Sequence, residues 1–135
     1  MKIETNSNNI TLSHKEEFKD KIDFLYAAVN AYSGLTLDRS VWLTDRETMF
    51  FIAIVIFIKG GAKKCTDPSA IKMIEDVFGK HSRQLRVGYT KKLADKNWIK
   101  MDKETKHITI PQFFQEIDLE ETASINFSIS FSYCH

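Results

Sequence analysis

Between residues 83 and 97 the chain places cationic and hydrogen-bonding side chains at helical spacing. Leu85, Tyr89 and Leu93 recur every four residues, so a helix here turns them to one side. Arg83, Gln84, Val87, Thr90 and Lys91 then fall on the opposite side, with Arg86 flanking. These types suit the edges of base pairs: Arg can pair with guanine, Gln with adenine, and Val can touch a thymine methyl. Lys91, Lys92, Lys100, Lys103 and Lys106 follow as candidate phosphate contacts. Lys63 and Lys64 precede another helix, whose N-terminus would favour an anion beside them. An ordinary solvated helix face also carries Lys and Arg, and Tyr89 and Trp98 read first as core aromatics. His81 and His107 read as surface or strand residues, and Met49, Met73 and Met101 as packing residues.

The charge supports this focus. The 135 residues sum to a formal charge of +1, but the sum hides a segregation. Residues 59–107 hold 13 Lys/Arg against 6 Asp/Glu, while residues 108–135 hold four acids and neither Lys nor Arg. A basic middle between acidic flanks suggests a polyanionic partner for the middle alone. Length and a 43% hydrophobic content fit one compact domain. No apolar leader opens the chain, so the expected location is cytoplasmic. The longest apolar run, Met49 to Ile58, is too short for a membrane span and reads as a buried helix. Cys65, Cys134 and the four histidines show no metal-ligand spacing, so no metal and no cofactor are expected. No phosphate loop, nucleophile elbow or paired carboxylates occur, and the expectation is a protein without catalytic activity.

The elements that position the basic segment are punctuated clearly. Ser13–Glu16 and Thr44–Glu47 are S/T-x-x-E capping boxes. The first predicts a helix with Phe18, Ile22, Leu25, Tyr26 and Val29 inward and a stop near Ser33–Gly34. The second opens the apolar helix, which should lie at the centre of the core. Asp67–Pro68 predicts a third helix that ends at Gly79, and Ser82 caps the basic one. Trp98–Met101 and His107–Ile110 read as a hairpin across the charged turn 102–106, closed by Pro111. Further on, Phe113, Ile117 and Leu119 share one parity and read as strand. Residues 125–133 alternate strictly, with Ile125, Phe127, Ile129, Phe131 and Tyr133 on one face and uncharged Ser or Asn between them. A strand without Lys or Pro is poorly protected as an edge, so it should pair on both sides, or with another copy or another protein.

Helix, helix, tight turn, helix and hairpin is an order that resembles the winged helix-turn-helix family. The likeness is most specific in FGKHSRQLRVGYTKKLADKNWI, and it covers roughly residues 44–110. The family's usual Gly before the first hairpin strand is here Asn97, which tolerates the left-handed conformation. Gly88, in mid-helix, is a second departure; it suggests tight packing or close approach to a phosphate. The resemblance implies an α+β fold: a winged helix-turn-helix core with extra β-strands from the N- and C-termini. The organisation expected is a pair of short strands or a loose arm, then a helix, over 1–43, the core over 44–110 and strands over 111–135, within one domain. It also implies that the basic helix enters the major groove of duplex DNA, with Lys103 and Lys106 on the hairpin touching the backbone. The expected function is transcriptional regulation in a bacterium or phage. The alternative is a phage virion ring, adaptor or accessory protein whose terminal strands join subunits.

Overall fold

In the computed structural model, which describes residues 2–6, 9–13, 18–36, 38–119 and 125–127, the apolar run lies inside helix α2 (Asp45–Lys59). For the helices we number α1 (Phe18–Thr36), α3 (Pro68–Phe78), α4 (Arg83–Asp95) and α5 (Gln112–Gln115) around it. The strands are β1 (Lys2–Asn6), β2 (Asn9–Ser13), β3 (Lys100–Met101), β4 (Ile108–Thr109) and β5 (Ile125–Phe127). The chain divides into two compact units, Ser40–Gln115 and Met1–Arg39 with Glu116–His135.

In the unit Ser40–Gln115, α2 is buried nearly all round because it feeds two aromatic clusters. Phe50 stacks on Tyr89 of α4 at 5.4 Å and meets Phe78 of α3 edge-on at 5.6 Å. Phe51, one residue on, packs edge-on against Trp98 at 5.1 Å and Phe114 at 5.0 Å. Phe50, Phe51, Ile52, Ala53, Ile54 and Val55 are all fully buried. The capping box at Thr44 is complete: Thr44 Oγ1 accepts from the Glu47 amide at 3.2 Å, and Glu47 Oε1 accepts from the Thr44 amide at 2.8 Å. Trp98 donates its indole N–H to Val41 O at 2.7 Å, tying the entry of the unit to the end of α4.

The C-terminal ends of α3 and α4 follow their sequence signals. Gly79, at φ 96°, closes α3 with its amide on Glu75 O at 3.0 Å. After α4, Asn97 takes φ 63° and donates to Ala94 O, while the Trp98 amide donates to Leu93 O. Those two bonds are the Schellman pattern, with Trp98 and Leu93 as its hydrophobic pair. Asp67 departs from expectation. Its side chain makes no cap bond to α3; Oδ2 instead accepts from the amides of Lys63 and Lys64 at 2.9 and 3.2 Å.

In the other unit, α1 buries Phe24, Leu25, Ala28 and Val29 fully or nearly so, while Ile22 and Tyr26 are half-buried. The buried stripe is therefore rotated from the one expected. α1 also runs through Gly34 to Thr36; Gly34 is exposed, and a Cβ there would meet nothing within 4 Å. Ser13 ends β2, and residues 14–17 lie outside the described ones, so the first capping box is left without a described helix start. β1, β2 and β5 form an antiparallel sheet with β2 in the middle. Its register sets Ile3 opposite Leu12 opposite Ile125, and Thr5 opposite Ile10 opposite Phe127. Ile129, Phe131 and Tyr133 lie outside the described residues.

The expected class, an α+β winged helix-turn-helix core extended by terminal strands, is corrected by this architecture. The described residues are mainly helical, with five α-helices, and the strands among them are short. The hairpin β3–β4 has two residues per strand, and β1, β2 and β5 form a three-stranded sheet in the other unit. The reason lies in the hairpin sequence. Residues 102–107 are wholly polar and exposed, and Pro111 removes a ladder donor just beyond β4. Strand was also expected around Phe113. There α5 forms instead, with the amides of Phe114 and Gln115 on Pro111 O, because the turn buries Phe114 completely.

Candidate nucleic-acid interface

Three segments of the unit Ser40–Gln115 meet around one cleft: the loop before α3, one side of α4, and the hairpin. The Asp67 carboxylate fixes the loop by gathering the amides of Lys63 and Lys64. Those bonds, that of the Lys63 amide first, hold the carboxyl below its ordinary range against a smaller opposing effect of burial. The Ile108 amide then donates to Lys63 O at 2.8 Å, which latches β4 to the same loop. At the hairpin tip Asp102 Oδ1 accepts from the amides of Thr105 and Glu104, both at 2.8 Å, and these bonds lower that carboxyl too. Lys106 leaves the turn with φ 64°, in the left-handed region, and its side chain borders the cleft.

The cleft encloses about 510 Å³. Of the residues expected to touch nucleic acid, it brings together Arg83, Arg86, Val87, Thr90 and Lys91 of α4 with Lys64 and Lys106. Five of these are cations, and no carboxylate is among the lining residues. Gln84, Lys100, Lys103 and Lys63 are exposed and do not line it, although the Lys63 backbone bonds to Asp67 and Ile108. Lys91 also pairs with Asp95 at 3.1 Å, one helical turn on, with both groups well exposed. Arg86 Nη1 lies 3.3 Å from His81 Nε2; a guanidinium can only donate, so the imidazole nitrogen accepts.

Thr90 requires a correction. Expected on the exposed reading face, it is only 5% exposed, and its hydroxyl donates to Arg86 O at 2.6 Å. The Cys65 thiol lies 3.8 Å from the same hydroxyl. Thr90 therefore forms part of the cleft wall, and its hydroxyl proton is already given to Arg86 O. Burial pushes the Cys65 thiol up, more than the Thr90 hydroxyl and the Arg86 charge pull it down, so the thiol stays neutral.

Cys65, Thr66, Ala94 and Met101 also line the cleft and were not foreseen. Met101, expected to pack, is 41% exposed, and Val87 is 54% exposed. The α3–α4 scaffold behind the cleft is braced by Arg46, whose guanidinium sits 4.6 Å over the Phe78 ring and whose Nε donates to the Tyr89 hydroxyl at 3.1 Å. Lys92 Nζ lies 5.1 Å over the Tyr89 ring, away from the cleft lining.

Among the described residues no cluster of three or more His, Cys, Asp or Glu could hold a metal ion. No helix among them is long and apolar enough to cross a membrane. No protein-family model, curated protein or solved structure matches the chain.

Proposed function

We propose that the α4 face and its flanking cleft bind duplex DNA without catalysing a reaction on it, and that the protein regulates transcription in the cytoplasm of a bacterium or bacterial host. One observation carries this reading: five cations from three segments surround a single cleft with no carboxylate in its lining. Cations gathered in this way displace condensed counterions from a phosphate backbone. Arg83, at the first turn of α4, and Arg86, one turn on, have the donor geometry for phosphate or guanine. The test is fluorescence anisotropy of a short labelled duplex at low and high salt, with Arg83→Ala and Arg86→Ala. Each substitution is expected to cost about 1–3 kcal/mol and to flatten the salt dependence. Unchanged affinity in both variants, with far-ultraviolet circular dichroism preserved, refutes the reading.

A second reading, subunit assembly in a virion, has its own support. β5 pairs only with β2 among the described residues, so it stands at a sheet edge, and its sequence carries no charge. An uncharged edge strand is a template for another chain. Light scattering after size exclusion separates the two readings. An oligomer that dissociates when residues 124–135 are removed favours assembly; a species of unchanged size excludes it.

A further inference from the structure

Among the described residues only three large apolar side chains are substantially exposed, and two of them, Val87 and Met101, line the same cleft. Two such groups side by side in one concavity offer an apolar surface that a ligand can cover. The cleft wall is mostly apolar, with Ala94 and the neutral thiol of Cys65 adding to it, while Lys64, Arg83, Arg86 and Lys106 stand around it. The cleft volume, about 510 Å³, lies in the range of small-molecule sites. A phosphate group alone would use the cations and leave the apolar wall wet. A neutral hydrocarbon would cover the wall and leave the cations without a counter-charge.

We propose that this cleft is an effector site for an amphipathic organic anion, one with an apolar ring or chain against Val87 and Met101 and an acidic head between Arg83 and Arg86. Its occupant blocks the face assigned to DNA, so occupancy and duplex binding exclude each other. That second statement rests on the nucleic-acid reading; the first does not.

The probes are 8-anilinonaphthalene-1-sulfonate, an aromatic anion, and N-phenyl-1-naphthylamine, its neutral analogue. Fluorescence titration of the full chain without DNA is expected to show one site for the anion and at least tenfold weaker binding of the neutral probe. Arg86→Ala should weaken the anion at least fivefold and leave the neutral probe unchanged. Met101→Glu, on an exposed strand position that tolerates charge, should weaken both. Equal affinity for the two probes, or an anion affinity unaffected by both substitutions, overturns the site. A second titration adds the anionic probe to a preformed complex with labelled duplex. Release of the duplex at a probe concentration that rises in proportion to the duplex present supports mutual exclusion; a ternary complex overturns it. If no duplex binds, the nucleic-acid reading fails while the first titration still decides the site.

Discussion

Glu47 closes the capping box at the head of α2 and also holds the Lys96 ammonium at 2.8 Å, on a side chain only 7% exposed. Burial pushes its carboxyl up, but the bond from Lys96, the Thr44 amide, the Lys96 charge and the Thr44 hydroxyl together hold it below the ordinary range. A depressed carboxyl stabilises the folded chain fully above its unfolded value, near pH 4, and the contribution is lost as pH falls through the folded value. Glu47→Gln keeps a cap-competent side chain but removes the charge. It is expected to lower stability at neutral pH by about 1–2 kcal/mol. It should also flatten the decline below about pH 4, because the charge that titrates there is gone. Urea midpoints measured across pH check both; a decline as steep as in the parent chain contradicts the assignment. The cap at Thr44 was legible in the sequence because a capping box is a local pattern. The Lys96 partner was not, since 49 residues separate it from Glu47. Thr90 was misplaced for a similar reason. Helical spacing assigns a direction around the axis, but it cannot show that the loop at Cys65 folds over that side.

Element boundaries followed local chemistry where the signal sat on the backbone. Gly79 and Asn97 both adopt the left-handed conformation that their positions after α3 and α4 call for. Gly88 is different. It lies inside α4, exposed, and a Cβ there would meet nothing within 4 Å. Packing against a neighbouring helix is therefore not its reason among the described residues. Gly88→Ala should stabilise the chain by about 1 kcal/mol, the usual helix-propensity difference. Thermal unfolding checks that gain. Anisotropy on the same variant shows whether a phosphate needs the bare backbone: weaker duplex binding alongside higher stability would assign Gly88 to the interface. The hairpin and α5 mark the limit of pattern reading. Phe113, Ile117 and Leu119 share a parity, and Ile117 and Leu119 are buried, but so is Phe114, which that parity leaves out, while Phe113 is only half-buried.

At the scale of the molecule, one unit is a continuous stretch, Ser40–Gln115, set between the two pieces of the other. Its two aromatic clusters, its caps and its cleft are all internal to that stretch. Residues 40–115 expressed alone should therefore unfold cooperatively and keep the near-ultraviolet signal of the Phe51–Trp98–Phe114 cluster; a broad transition without that signal would show dependence on the flanks. The charge map anticipated part of this division, because the basic residues from Lys59 to Lys106 all fall inside the continuous unit. It did not show that the first helix belongs with the chain's last segment, since nothing local to α1 refers to residues 116–135.

This discontinuity sets an order of events during synthesis. β2 is translated before Ser40–Gln115 and its partner β5 after it. At common elongation rates the gap is roughly 5–25 s, nearly all of it taken up by synthesis of the intervening unit itself, whose last residue, Gln115, lies just before β5. Through that interval the nascent β1–β2 hairpin leaves the ribosome with its third strand still untranslated, and a chaperone that shields strand edges would have its strongest claim on the chain then.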